Sequence, residues 1–266
     1  MSRLHTAASS EYFTLASGLV TAAPLSMVCW FRSDDADALQ ALMGVGDSAS
    51  NTHLFSLELA GATAGDPVRI FTRAGGGANI VVTSTGYSIN TWHHAAMVQV
   101  TTTDRSVFID GGSEGNNTTS VIPAGVNLTR IGSRATLSVG VFMSGRIAEA
   151  AIYDAALTNS QVAMLARGVS PFRVLPGNLV GYYSLPAFTG NAIDYSGNGN
   201  NLTDTNTVGI ADHAPVPPMF GMGKGWRGAF TEAAAAAVGN VGQRYWQHER
   251  HYPRGVNHGV LRGAIR

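Results

Sequence analysis

From residue 25 to residue 154, runs of strand length recur about every ten residues, and no amphipathic helical period separates them. Parallel strands need crossover segments of roughly a dozen residues, usually helical, so a chain without them is confined to antiparallel sheets. LSMVCWFRS (25–33) sets Met27, Cys29 and Phe31 against Val28, Trp30 and Arg32, the alternation of a strand with at least one buried face. HLFSLEL, PVRIFT and NIVVTS, within 53–84, repeat the pattern between glycine-rich breaks. WHHAAMVQV (92–100) and RSVFIDGG (105–112) read as a hairpin that leads to a second turn at Asp110-Gly111. NLTRIGS and VFMSGRIAEAAIYD (127–154) add two or three more strands. The fold class this predicts is all-β, an antiparallel sandwich. Thirty-two glycines and only 13% charged residues suit many short strands joined by tight turns.

One helix interrupts the series. In LTNSQVAMLARG, Thr158 and Gln161 have capping-box spacing, Val162, Leu165 and Ala166 share a face, and Gly168 supplies a left-handed stop. The spacing predicts about ten helical residues. LVGYYSL (179–185) is a further strand, and DYSGNGNNLT (194–203) follows it.

Past Asp212 the character of the chain changes. HAPVPPMFGMGKGWRG cannot hold a central strand, and QRYWQHERHYPRGVNHGVLRGAIR mixes Arg, His and aromatics without an apolar period. Residues 1–219 hold ten Arg against fifteen Asp or Glu, whereas 220–266 hold seven Lys or Arg against two Glu. The expected organisation is a core domain over 1–213 and an extended, basic carboxyl-terminal arm over 214–266. Such an arm cannot build its own core, so it is expected to order on a partner. Trp226, Arg227, Arg244, Tyr245, Trp246, Arg250, Tyr252 and Arg254 are the candidate docking residues.

Net charge is zero, which gives no bulk field for nucleic acid or a membrane surface. No apolar run approaches the ~20 residues that span a bilayer, and the amino terminus lacks the apolar stretch of a secretory signal. Cys29 is the only cysteine, so no disulfide forms within the chain, and its apolar run points to a buried, inert thiol.

The order SMVCWFR, TWHHAAMV, SVFIDGG, RIGS and GRIAEAAIYDAALTNSQVAML resembles the laminin-G-like branch of concanavalin A-type jelly rolls. LVGYYSL followed by DYSGNGN is similar to that family's D-x-S-G-N-G-N element, and the resemblance covers roughly residues 11–213. In many relatives these last two elements precede the first core strand. Here they follow the helix, which suggests a permuted order in which a late strand fills an amino-terminal slot. The resemblance implies a jelly-roll β-sandwich with lectin-like function.

Glycosidases on this fold carry alternating acids of the E-x-D-x-E type on one strand, because retaining hydrolysis needs two carboxylates about 5 Å apart. No such strand occurs: Glu58 stands alone in FSLEL, and Glu149 and Asp154, five apart, should face opposite sides of a strand. His93 and His94 are adjacent on a strand and should also point to opposite faces. His94 falls on the family's core histidine, which implies a structural role. His248 and His251 are spaced i, i+3 rather than the i, i+4 of a zinc-protease helix.

DYSGNGNNLT is not followed by a helical period, which excludes a phosphate cradle. Two readings remain open. Asp194, Asn198 and Asn200 with nearby carbonyls, and Asp212 from the exit strand, could supply hard oxygens to calcium; or the loop is a turn that leaves the last core strand.

These observations together predict a non-enzymatic, lectin-like structural protein. The arm and the resemblance imply a bacteriophage virion surface component, in capsid decoration or tail, that is oligomeric in its assembly and binds host glycans. The alternative is a carbohydrate-binding module, extracellular or at a bacterial cell surface. Loops at 44–52, 60–67 and 74–79 are the candidates for sugar specificity.

Overall fold

The alternation in β3 (Leu25–Ser33) separates two environments. Leu25, Met27, Cys29 and Phe31 enter the main core, and Val28 enters a second one on the other side of the sheet. In the computed structural model, which describes residues 2–186 and 189–216, the strands form two antiparallel sheets. Sheet A runs in the order β10 (Gly112–Asn117), β9 (Asp104–Ile109), β8 (His93–Thr101), β3, β12 (Gly145–Tyr153), β1 (Ser2–His5) and β15 (Gly209–Ala211), and β13 (Leu179–Tyr183) also pairs with β12. Sheet B runs β14 (Thr203–Thr205), β2 (Tyr12–Leu15), β11 (Leu128–Ile131), β4 (Leu39–Gly46), β5 (His53–Ala60), β6 (Pro67–Ala74) and β7 (Gly77–Gly86). This is the antiparallel sandwich that the strand spacing predicts, in the jelly-roll form that the resemblance implies.

The inner faces meet through Met27, Phe31 and Met97 from sheet A and Met43, Leu57 and Ile70 from sheet B. Burying each such side chain contributes about 1.5–3 kcal/mol, which makes this layer the main source of stability. Cys29 lies inside it, where burial pushes the thiol up and leaves it unreactive.

Sheet A is also covered on its outer face. Helix α1 (Asn159–Ala166) is shorter than the expected ten residues, but both arms of its capping box form: the Thr158 hydroxyl accepts from the Gln161 N–H, and the Gln161 side-chain Oε1 accepts from the Thr158 N–H. Gly168, at φ +86°, ends the turn. Val162 and Leu165 pack beside Val28, Ala96, Phe108 and Tyr153. Asp110 and Gly111, both at positive φ, make the predicted tight turn between β9 and β10.

Three elements depart from the sequence reading. The DYSGNGNNLT loop does not leave the last strand, because β14 then joins sheet B beside β2 and β15 joins sheet A beside β1. The amino-terminal slot is not vacant either: β1 pairs β12 at Gly145–Ile147 and β13 pairs it at Ala150–Tyr153, so the two strands share one edge end to end. Between those stretches β12 is bulged, with Glu149 at φ +51°. The bulge breaks the alternation expected to set Glu149 opposite Asp154, and Asp154 lies beyond the strand, bonded to the Asn178 amide at 2.8 Å. The packed body continues through Ala214 and Val216, which are buried beside Ala148, Trp30 and Trp92. No helix among the described residues is long and apolar enough to cross a membrane.

Candidate functional site

On β6 the core takes Val68 and Ile70, so Arg69, Phe71 and Arg73 stand in a row on the outer face of sheet B. Glu58 on β5 is directly opposite Arg69 and fully buried. Both ends of its carboxylate are gripped. Arg69 donates from Nε and Nη2 to Oε2 at 2.9 and 2.7 Å, and Arg134 donates from Nε to Oε1 at 2.6 Å and from Nη2 to Oε2 at 2.9 Å. Forked, charge-assisted bonds of this kind fix geometry as well as add energy. The two guanidinium carbons also lie 5.5 and 4.6 Å from the Phe71 ring centroid, within cation–π range.

Arg134 reaches Glu58 because the segment 133–143 lies across the sheet. A side chain at Gly46 would put its Cβ 1.9 Å from the Ala135 carbonyl oxygen, so only glycine lets this backbone settle on β4. Arg130 Nη1 then donates to the carbonyls of Arg134 and Thr136 at 2.8 and 2.9 Å. Asn51 clasps the far end through two bonds to Ser138, at 3.0 and 2.8 Å. Between this roof and β6 opens a cavity of about 200 Å³. Leu54, Phe71 and Val141 form its apolar wall, and Arg73, Arg134, Asn51, Thr136 and Ser138 bring polar groups to it. An apolar surface with a few convergent polar groups is the usual form of a small-molecule site. Among the expected specificity loops, 44–52 contributes Asn51; the 60–67 and 74–79 loops do not line the cavity.

The candidate metal residues are placed differently. Asp194 Oδ1 accepts from the N–H groups of Tyr182 and Ser196 at 2.9 and 2.8 Å, and Oδ2 accepts from the Ser196 hydroxyl and the Asn200 N–H, both at 2.9 Å. The Asn198 and Asn200 amides donate to backbone carbonyls of Leu179 and Val180 on β13. Asp212 is exposed beyond β15, where its carbonyl accepts from the Ser2 hydroxyl. Among the described residues no three His, Cys, Asp or Glu side chains form a group that could hold an ion. A carboxylate already filled by four donors of its own chain does not fit calcium, which needs six to eight oxygens turned toward it. Asp194→Ala should therefore cost about 2 kcal/mol from lost hydrogen bonds. Wild-type melting should be the same in calcium and in chelator; a calcium-raised melting temperature that the variant loses would restore the metal reading.

His93 and His94 do take opposite faces. His93 Nδ1 lies 2.7 Å from Asp110 Oδ2 and its Nε2 accepts from the Ser88 N–H, which fixes a structural tautomer. Burial works against the Asp110 charge, but the bonds from the His93 ring and the His94 N–H outweigh it and hold this carboxyl below its usual range. His94 is buried edge-on to Trp30, and burial pushes its imidazole down to about 4. Glu149 accepts from the Tyr182 hydroxyl and lies 3.2 Å from His213 Nε2. The cavity beside it, near Trp30 and His94, is only about 10 Å³, room for about one water. The docking candidates Trp226, Arg227, Arg244, Tyr245, Trp246, Arg250, Tyr252 and Arg254 lie outside the described residues.

Apart from Asn51 in the 44–52 loop, the residues of the sheet B cavity are not ones that the sequence analysis singles out. Their signal is the R-x-F-x-R row in PVRIFTRA, an aromatic flanked by two cations on one strand face. Arg134, 76 residues from Glu58, carries none.

No curated protein matches the chain in sequence. Among solved structures, a candidate carbohydrate binding protein from Bacteroides ovatus aligns at 16% identity and TM-score 0.54, over 80% of this chain and 61% of the other. The CBM40 of the Ruminococcus gnavus IT-sialidase aligns at 14% identity and TM-score 0.52, over 62% and 97%. The same domain bound to alpha2,6 sialyllactose gives 12% and 0.50 over the same shares. The Laminin_G_3 model, described as concanavalin A-like lectin/glucanases superfamily, matches residues 7–163. With that match spanning more than half of the sequence and the two-sheet sandwich beneath it, the chain belongs to the Laminin_G_3 family of the concanavalin A-like lectin/glucanase superfamily.

Proposed function

We propose that the chain is a non-catalytic carbohydrate-binding protein whose sugar lies in the cavity between β6 and the 133–143 segment. The observation that carries this is the cavity itself, about 200 Å³, with an apolar wall at Phe71, Leu54 and Val141 facing Arg73, Asn51 and Ser138. Sugar rings present apolar C–H faces and polar rims, and such a wall serves both. The fold shared with a domain solved with sialyllactose supports the reading at the level of architecture. Hydrolysis needs two carboxylates across the scissile bond, and no carboxylate lines this cavity. Glu58 beneath it is fully committed to two arginines.

The setting we propose is the surface of a larger assembly, a bacteriophage virion in capsid decoration or tail, with the segment beyond Val216 as the attachment segment. Its support is the basic, aromatic composition of that segment. A cell-surface module is the competing setting.

A glycan array probed with the full chain tests the binding function. Phe71→Ala should weaken the strongest glycan at least tenfold by calorimetry, with little change in melting temperature because Phe71 is only half-buried. An array with no binding, or full affinity in Phe71→Ala, sinks the proposal.

A further inference from the structure

The charges around the cavity do not balance. Arg69 and Arg134 share the single carboxylate of Glu58. Arg130, buried under the same segment, donates to two carbonyl oxygens and lies 5.2 Å from the Tyr12 ring centroid, and among the described residues it makes no ion pair. Arg73 lines the cavity, half-buried, and makes no ion pair among the described residues. Of the two guanidinium groups that line the cavity, Arg134 is thus paired with Glu58 and Arg73 has no counterion among the described residues, and no acid lines the cavity to offset it.

Partly buried like charges repel more strongly than exposed ones, because the surrounding protein screens them less than water does. Keeping such an excess at a small cavity is unfavourable in the empty protein and becomes favourable when an anion enters. We propose that the ligand of this site is an acidic sugar, one whose ring bears a carboxylate or a sulfate, and that Arg73 is the residue that selects it. This inference rests on the carbohydrate-binding reading above and names its ligand class. The partition of roles follows from the bonding. The forks of Arg69 and Arg134 are spent on Glu58, which holds Arg134 in the roof of the cavity. The fork of Arg73 remains for a planar carboxylate or for two sulfate oxygens, the geometry that guanidinium recognises best. Phe71, between Arg69 and Arg73 on the same strand face, supplies the apolar contact for the ring that carries the anion.

The experiment is a glycan array in which every neutral oligosaccharide is printed beside its uronic- or sialic-acid counterpart and its sulfated counterpart. The full chain should bind the anionic member of a pair at least tenfold more strongly than the neutral one. Titration of the best pair should show Arg73→Gln bringing the two affinities within about twofold, because the anionic member loses at least fivefold more affinity than the neutral one. The carboxylated and sulfated rows show which anion the site takes, and a preference for either supports the inference. Equal or stronger binding of neutral glycans overturns it and leaves the carbohydrate-binding reading intact. Silence across the whole array removes both. An anion preference that persists in Arg73→Gln, in a variant that melts like the wild type, removes the role given to Arg73.

Discussion

Glu58→Gln should destabilise the protein by about 3–4 kcal/mol, although the change is nearly isosteric and lies outside the main core. The carboxylate is fully buried, and it accepts four charge-assisted bonds from two guanidinium groups. Removing the charge leaves two neighbouring cations, both beside Phe71, without their shared counterion, and breaking a buried pair of this kind costs about 3–5 kcal/mol. The estimate sits at the lower end because Arg69 and Arg134 are 13% and 21% exposed and can turn partly to water. Urea unfolding gives the number. The same variant should lose sugar affinity, because Arg134 no longer anchors the roof of the cavity. A cost below about 1 kcal/mol would mean that the arginines hold their places without Glu58, through Arg130, Asn51 and Phe71.

How much of this could be read along the chain depends on what covers each strand. β3, β5, β6 and β8 alternate or run apolar in the expected way, and their bounds are close to the motifs that announce them. β4, LQALMGVG, shows no alternation because a bulge between Ala41 and Met43 lets Leu42 and Met43 both enter the main core, and because the 133–143 segment covers its outer face at Gly46. β14 and β15 are three residues each, too short to leave a period. The cavity divides along the same line. Arg69, Phe71 and Arg73 are readable as one face of one strand, whereas the Glu58 clasp joins β5 to Arg134, 76 residues away. Pairing at that separation depends on the jelly-roll crossover and on the absent side chain at Gly46, and neither has a local signature.

Stability should fall steeply as pH drops from about 6.5 to 4, and two histidines should account for most of the slope. Burial pushes His5 down to about 4; the bond to the Glu11 carbonyl opposes this and the Arg3 charge adds to it. Burial likewise pushes His94 to about 4, with Asp110 opposing. Each ring has an ordinary value of 6.5 in the unfolded chain. Below pH 6.5 the unfolded state therefore takes up a proton at each site that the native state refuses. Stability is full above 6.5 and declines until the native rings also titrate near 4. The linkage slope is about 1.4 kcal/mol per pH unit for each group, or about 3 kcal/mol per histidine across the window. Two of them together approach the whole stability of an ordinary domain, about 5–15 kcal/mol. The rings have no easy relief: His5 is seated against Gly132, where a Cβ would come within 2.4 Å of Nδ1, and His94 lies edge-on to Trp30. Urea unfolding at half-unit steps between pH 7.5 and 4.5 measures the slope. His5→Gln and His94→Gln should each lower the baseline and remove about one proton's share of the slope. A slope that both variants keep would place the acid sensitivity elsewhere, in carboxylates such as Asp110, and would mean that the two imidazoles accept protons without unfolding.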